Sequence, residues 1–336
     1  MSTGYERQWE TRRQAGRSAA DEARDSYYGL PAIHKPHWKW SIVLYFFLGG
    51  ISGASYVVAT LARLFGGPEL RPVARAGRYL SFLIVIPAPL LLIYDLGRPE
   101  RFHHMLRVLK LRSPMSLGVW GLIAFSLFSG LSALIQAAQD GLLGRRGPAR
   151  LLRAMPDRLV SLLGSGPAFF LSGYTGVLLA ATAVPLWTKN FLLLGPLFLS
   201  SALSNAAAAL LLLLTATRRA GDEILERLER LDRLALLAEL ALLLGLRANS
   251  GPVIGRPLDE GRLGQAFRGV LGAGIVAPLL LQRLTRGRHG RVAQTLRLLA
   301  GLLVLAGGFL LRSALVFAGH RSADDPQATF ELTRKR

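Results

Sequence analysis

Residues 93–122 read IYDLGRPERFHHMLRVLKLRSPMSLGVWGL and place a dense group of polar and charged residues between two apolar stretches. Asp95 and Arg98 follow the first stretch, adjacent histidines and further cations come next, and the second stretch begins at Ser116. A helix of about 20 apolar residues spans the hydrocarbon core of a bilayer. The pattern therefore indicates two membrane-spanning helices that are joined by a polar loop.

Apolar blocks of this length alternate with charged loops along most of the chain, which has 336 residues, 51% of them hydrophobic. Only helices and closed barrels satisfy the backbone in lipid, and these blocks are rich in Leu and Ala without a two-residue alternation, so helices are favoured. The sequence predicts an all-α integral membrane protein with eight transmembrane helices. These are expected at residues 41–63, 73–95, 116–138, 162–185, 191–216, 231–246, 263–281 and 293–319.

The spans divide the chain into three segments. We expect a polar extramembrane N-terminal segment at residues 1–40, the eight-helix membrane domain at 41–320, and a polar C-terminal tail at 321–336. The sixth span begins among charges such as Asp232, which places its first turns at the membrane interface, and the seventh contains Arg268 and four glycines. Six spans with two interfacial helices is therefore the structural alternative.

The formal net charge of +20 comes from cations that flank the apolar blocks. Cations in such positions suit anionic lipid headgroups, so the expected partner is membrane lipid and not nucleic acid. The loops after the third, fifth and seventh spans are rich in arginine, and the positive-inside rule places them in the cytoplasm. We therefore expect a multi-pass protein of a bacterial or archaeal inner (cytoplasmic) membrane, with both termini on the outer, periplasmic side.

The chain has no cysteine, and none of its six histidines lies within an expected span. It therefore offers no cysteine ligands for an iron–sulfur cluster and no histidine pair for haem between the helices. His103 and His104 are adjacent, and adjacent residues on a helix point about 100° apart, so they do not chelate one ion together. We expect no haem, no iron–sulfur cluster and no metal site in this chain.

Polar residues gather at one membrane edge and also recur inside the spans. At the edge, Asp95 and Arg98 allow two interpretations: an ion pair that stiffens a turn, or part of a functional entrance. Inside the spans, Glu239 and Arg312 are ionisable groups in lipid, which are functional candidates by default. They predict either a buried structural pair or a proton path, and Asn205 adds a polar strip with neighbouring serines.

Three pairs of motifs resemble one family. "YYGLP" and "HWKW" run into "YFFLGGISGAS", "DLGRPERFHHML" is followed by "SPMSLGVWG", and "TGVLLAATAVPLW" is followed by "PLFLSSALSNA". Together they resemble the NrfD/polysulfide-reductase-type membrane subunits over most of residues 27–205, with weaker similarity afterwards.

The resemblance implies eight helices, a quinone site in the N-terminal helical bundle and no haem. It also implies an iron–sulfur partner subunit that exchanges electrons with a molybdopterin-type or other redox catalytic subunit. A quinone headgroup needs hydrogen-bond donors and groups that move protons. The candidates for quinone binding or proton exchange are His37, Lys39, Tyr45, Asp95, Arg98, His103 and Tyr174.

The expected function is therefore that of a subunit in a quinone-linked oxidoreductase complex. This chain would exchange electrons between menaquinone or ubiquinone and the iron–sulfur partner, and would anchor that partner to the membrane. No residue is assigned a catalytic role. The alternatives are a transporter or ion-translocating protein that uses Asn205, Glu239 and Arg312, and a purely structural anchor. No inverted repeat of broken helices is visible, which disfavours the transporter.

Overall fold

The structure is a computed structural model that describes residue 33 and residues 35–144, 147–288 and 290–334. Within these ranges the chain forms helices and connecting turns and no strand, so the expected all-α fold is confirmed. Most of the predicted N-terminal segment, residues 1–32, and His34 lie outside the described residues.

The first half of the protein contains six α-helices and two short 3₁₀ helices among the described residues. They are α1 (Trp40–Phe65), a 3₁₀ helix (Pro68–Leu70), α2 (Arg71–Val85), α3 (Pro87–Asp95), a second 3₁₀ helix (Pro99–Leu106), α4 (Pro114–Gln139), α5 (Pro148–Ala154) and α6 (Asp157–Ala180).

The second half contains eight α-helices and one π-helical segment in the part that the structure describes. They are α7 (Pro185–Lys189), α8 (Phe191–Thr217), α9 (Asp222–Ile254), α10 (Arg256–Asp259), α11 (Gly261–Gly269), a π-helix (Val270–Val276), α12 (Ala277–Thr285), α13 (Arg291–Ala323) and α14 (Pro326–Arg334).

Seven helical stretches among the described residues are long and apolar enough to cross a bilayer, judged by length and composition. They are α1, the stretch Pro68–Asp95, α4, α6, α8, the stretch Gly261–Thr285 and α13. The sixth predicted span falls in α9, which is 33 residues long but is not among the seven. The protein is an integral membrane protein, and the count of eight spans stays a prediction.

Local sequence sets where the helix after the quoted loop begins. Ser113 precedes α4, and its side-chain oxygen accepts a hydrogen bond from the backbone N–H of Ser116 at 3.4 Å. Pro114 occupies the first helical position, where its missing N–H loses no helical hydrogen bond. Ser113 is therefore the N-cap of α4.

The long helices pack as two bundles that share a central contact. In the first bundle α1 packs on α2 and α6, and α4 packs on α2 and α6. In the second, α8 packs on α9 and α13, and α13 packs on the π-helix and α12. The helix α8 packs directly on both α1 and α6, so these three helices form the junction between the bundles.

Glycines allow backbones to approach closely at two crossings. A Cβ added at Gly53 of α1 would lie 2.5 Å from the carbonyl oxygen of Ala168 in α6. A Cβ added at Gly274 in the π-helix would lie 2.7 Å from the Cα of Gly307 in α13. Small residues at such crossings permit close packing between membrane helices.

The π-helix crossing predicts a specific sensitivity. Gly274→Ala should lower the free energy of unfolding by about 1–3 kcal/mol, because the new methyl group meets backbone atoms that cannot rotate away. Denaturant titration of the protein in mixed micelles measures the change. Gly272→Ala is the matched control: a Cβ there meets nothing within 4 Å. Equal effects of both substitutions would contradict the assigned packing.

Candidate functional site

Asp95 joins the end of α3 to the start of α1. The Ser41 hydroxyl donates a hydrogen bond to Asp95 Oδ1 at 2.5 Å, and Ser41 is fully buried. Leu96, the residue after α3, has an extended backbone, and Arg98 two residues later is exposed. The described residues include no ion pair between Asp95 and Arg98. The ion pair that one of the two interpretations required is therefore not formed among the described residues, and Asp95 instead links two helices by a hydrogen bond.

The other candidates near this edge lie on its outer surface. His37 and Lys39 are exposed in the segment before α1, and Trp38 between them stacks on Trp187 of α7 with ring centroids 5.3 Å apart. His103 is exposed on the second 3₁₀ helix, and its ring packs on His104 at 4.4 Å. These side chains therefore line the approach to the bundle and not its interior.

Tyr45 and Tyr174 form the buried part of the candidate site. Tyr45 of α1 is 2% exposed and Tyr174 of α6 is 5% exposed, and the two phenols are close enough to interact electrostatically. The Tyr174 hydroxyl donates a hydrogen bond to the carbonyl oxygen of Pro114, at the start of α4. The Tyr45 hydroxyl has no hydrogen-bond partner among the described residues, so its donor is available to a ligand.

Residues of two helices, α4 and α6, surround Tyr174. Phe170 stacks on its ring at 4.7 Å. A Cβ at Gly118 of α4 would lie 2.6 Å from Tyr174 Cε1, so the glycine makes room for the phenol. The motif "SPMSLGVWG" thus contributes both the carbonyl of Pro114 and the gap at Gly118.

A second polar cluster surrounds Arg312 at the junction of the bundles. This side chain is fully buried, and its Nε donates to the carbonyl oxygen of Phe46 in α1 at 3.2 Å. Its Nη1 donates to Ser201 Oγ in α8 at 3.1 Å and to the carbonyl oxygen of Gly308 at 2.8 Å. A Cβ at Gly50 would lie 3.0 Å from Arg312 Nη2, so the α1 glycine gives the guanidinium its space.

Glu239 and Asn205 complete this cluster. Glu239 of α9 is 3% exposed and is attracted electrostatically by Arg312, although the described residues form no ion pair between these two side chains. Asn205 Nδ2 donates to Ser201 Oγ at 3.2 Å. The structure thus brings together the three intramembrane residues that the sequence singled out, with Ser201 between them. Asn205 Oδ1 and Arg312 Nη2 are buried and without a hydrogen-bond partner in the described part of the chain.

Glu239 is also the innermost member of an acidic row along α9. The row occupies one helix face, because its members are seven, three and seven positions apart. They are Asp222, Glu229, Asp232 and Glu239.

The two middle residues of the row are buried and bind side chains of neighbouring helices. Asp232 is 1% exposed and accepts a hydrogen bond from Ser204 Oγ of α8 at 2.8 Å, and another from Gln282 Nε2 of α12. Glu229 is 2% exposed and pairs with Arg297 Nε of α13 at 3.0 Å. The charges that the sequence placed at the membrane interface are thus enclosed by three helices.

The outer end of the row reaches solvent. Arg297 Nη1 pairs with Asp222 Oδ1 at 2.6 Å, and the Asp222 side chain is 43% exposed. The row therefore runs from an exposed carboxylate at the start of α9 to the buried Glu239. Sequence reasoning missed it, although the spacing of the four acidic residues was a detectable signal.

A further buried ion pair lies in the first bundle and was also missed. Arg78 of α2 is 2% exposed and pairs with Asp157 of α6 at 2.6 Å. Its Nη1 donates to Gln136 Oε1 at 3.0 Å. An arginine within an expected span was the available signal. The pair lies near the end of the bundle opposite Asp95, because α2 begins and α6 begins there.

The similarity of this chain to known proteins covers nearly all of these helices. A family model described as polysulphide reductase, NrfD, matches residues 32–322. The chain belongs to the NrfD family. The resemblance seen in the sequence motifs is therefore confirmed.

Relatives of this NrfD-family chain include proteins with reductase names. A polysulfide reductase chain of Wolinella succinogenes is 30% identical over an alignment of 301 residues that covers 84% of this chain and 94% of the relative. Protein NrfD of Escherichia coli is 27% identical over 311 residues, with coverage of 84% and 94%. A selenate reductase subunit of Mesobacillus selenatarsenatis is 29% identical over 83 residues, or 25% of this chain and 19% of the relative.

The donor groups of the NrfD-family chain suit an organic ligand. Among the described residues, no group of three or more His, Cys, Asp or Glu side chains is arranged to hold a metal ion. The buried phenols of Tyr45 and Tyr174 instead offer hydrogen-bonding groups inside an apolar bundle.

The Arg312 cluster predicts thermodynamic coupling between two helices. Arg312→Met should lower the free energy of unfolding by about 3–5 kcal/mol, because it leaves Glu239 buried without its counter-charge. Adding Glu239→Gln should restore much of the loss. Denaturant titration of both single variants and the double variant measures the coupling.

The control for this cycle is Arg283→Met, which removes an exposed arginine of α12 and should change stability by less than about 0.5 kcal/mol. Strictly additive effects of Arg312→Met and Glu239→Gln would show that the two charges do not interact.

Proposed function

We propose that this chain is the haem-free membrane subunit of a reductase-type complex and exchanges electrons between a lipid quinone and an iron–sulfur partner subunit. Family membership supports the proposal, as do the relatives named as a polysulfide reductase chain and a selenate reductase subunit. The sequence has no cysteine, so the cluster that receives or supplies the electrons belongs to the partner.

The observation that carries the proposal is the hydroxyl of Tyr45, a side chain that is 2% exposed and forms no side-chain hydrogen bond with a described residue. A quinone carbonyl accepts a hydrogen bond, and a phenol donates one. Tyr174 lies beside Tyr45 and is fixed by its own bond to Pro114. Asp95 and Ser41 lie one turn towards the membrane edge from Tyr45, at the start of α1. A quinone headgroup at Tyr45 would therefore have the Tyr45 hydroxyl as a hydrogen-bond donor within the bundle and the Asp95 carboxylate on the side towards the membrane edge.

The reaction balances with these groups in defined roles. Oxidation of one quinol to quinone breaks two O–H bonds and releases two electrons and two protons, and reduction is the reverse. The electrons pass to or from the partner's iron–sulfur cluster. Tyr45 orients the reacting oxygen, and Asp95 accepts or returns a proton at the membrane edge. His37, Lys39, Arg98 and His103 line the exposed approach, where Lys39 and Arg98 provide cations and the two histidines provide hydrogen-bonding groups for docking the partner.

The acidic row on α9 supplies a second route for protons in this proposal. It leads from Asp222 at the surface to Glu239 in the Arg312 cluster, next to Asn205. Carboxylates can gain and lose protons, whereas Arg312 keeps its charge. The same row favours the second candidate function, an ion-translocating protein, because a purely structural anchor has no need for buried carboxylates in lipid.

Quinone binding tests the proposal directly. Tyr45→Phe should weaken the binding of a short-chain quinone analogue about 2- to 10-fold, because one hydrogen bond is lost. Quenching of tryptophan fluorescence during titration of the purified protein measures the dissociation constant.

Tyr94→Phe is the matched control, since Tyr94 is 67% exposed at the end of α3. It removes the same hydroxyl and should leave quinone binding unchanged. Unchanged affinity in Tyr45→Phe, or no saturable quenching in the unmodified protein, would exclude a quinone site at Tyr45.

Proton movement tests the second route separately. In the complex purified with its partners and placed in vesicles, Glu239→Gln should bind quinone normally and slow quinol-linked proton movement. Glu223→Gln, which neutralises a 75% exposed carboxylate on the same helix, should have no effect. Normal proton movement in Glu239→Gln would limit Glu239 to its structural role. Identification of the co-purified subunits tests the iron–sulfur partner in the same preparation.

A further inference from the structure

A large cavity opens at the end of the first bundle opposite Asp95. It has a volume of about 960 Å³ and lies between α2, α4 and the end of α8. Four arginines line it: Arg63, Arg71, Arg75 and Arg219. No role in the proposed quinone chemistry involves these residues.

Two of the four arginines are paired with carboxylates within the described residues and two are not. Arg63 pairs with Asp157 at 2.7 Å, and Arg75 pairs with Asp140 at 2.8 Å. Arg71 and Arg219 are exposed and form no ion pair with any residue in the described ranges. The cavity therefore carries uncompensated positive charge, which calls for an anionic ligand.

The cavity becomes apolar with distance from these charges. Arg71 is the first residue of α2, and Leu83 follows it by 12 positions, which is about 18 Å along a helix. Leu213 lies four positions, or about 6 Å, before the end of α8 at Thr217, and Arg219 follows two residues after that end. Both leucines line the cavity, and Leu83 is 62% exposed. A ligand that fits therefore has an anionic head and apolar chains parallel to the membrane helices.

We propose that this cavity binds an anionic phospholipid, with its phosphate between Arg71 and Arg219 and an acyl chain along Leu83 and Leu213. Guanidinium groups match phosphate oxygens in geometry and charge. Basic pockets between transmembrane helices suit anionic headgroups in this way. A zwitterionic lipid fits less well, because its ammonium group faces the same arginines.

The position of the cavity gives the bound lipid a structural consequence. Its walls come from α2 and α4 of the first bundle and from α8 of the second. A lipid that contacts both Arg71 and Arg219 therefore links the two bundles at the end that lacks the Arg312 cluster. We expect bound anionic lipid to stabilise the protein against separation of the bundles.

Native mass spectrometry of the full chain in detergent micelles tests this inference. The probes are phosphatidylglycerol and, as the zwitterionic comparison, phosphatidylcholine. The unmodified protein should bind phosphatidylglycerol with at least about tenfold higher affinity than the double variant Arg71→Gln/Arg219→Gln, because two charge-assisted hydrogen-bonding groups are removed. Each single variant should show an intermediate affinity.

The control is Arg286→Gln/Arg288→Gln, which removes two exposed arginines from the loop after α12, outside the cavity. This variant should bind phosphatidylglycerol as the unmodified protein does. Equal affinity in the two double variants, or equal binding of phosphatidylcholine, would overturn the proposal. Inorganic phosphate should not raise the unfolding temperature as phosphatidylglycerol does; an equal rise would mean that the site binds a phosphate ion and not a lipid.

Discussion

The fully buried guanidinium of Arg312 is the constraint on which the meeting of the two bundles depends. Arginine cannot discard its charge by losing a proton, so lipid-buried arginine requires hydrogen-bond acceptors from its surroundings. The acceptors come from α1, α8 and α13 itself, through Phe46, Ser201 and Gly308. Gly50 leaves the space that the guanidinium fills. The glycine-rich face of α1 is therefore matched to a charge as well as to a neighbouring helix.

The two bundles carry different chemistry on either side of this junction. The first encloses the phenols of Tyr45 and Tyr174 and ends in the Ser41–Asp95 hydrogen bond. The second encloses the acidic row that ends at Glu239. Phe46 follows Tyr45 directly and its carbonyl oxygen accepts a hydrogen bond from Arg312, so the two clusters share one turn of α1. In the proposed function, this shared turn would couple quinone chemistry to proton movement.

The sequence predicted the helices well because the length of an apolar stretch is a local property. It singled out Glu239 and Arg312 because a charged residue within an apolar stretch is easily seen. It did not predict the contacts that depend on three-dimensional packing. An ion pair with Arg98, three residues away, was one of two interpretations of Asp95, but Asp95 binds Ser41 on another helix. The charges around Asp232 in the sequence gave no sign that this side chain would be buried by neighbouring helices. Neighbours in the chain do not reveal which face a helix turns towards its partners.

Binding of a quinone headgroup beside Tyr45 in the first bundle is the central claim. Photolabelling with an azido-substituted short-chain quinone, followed by mass mapping of peptides, tests it most directly. We expect label in peptides from α1 (Trp40–Phe65) and α6 (Asp157–Ala180), removed by excess unmodified quinone and reduced in Tyr45→Phe. Competable label confined to the second bundle, with none in α1 or α6, would contradict the claim.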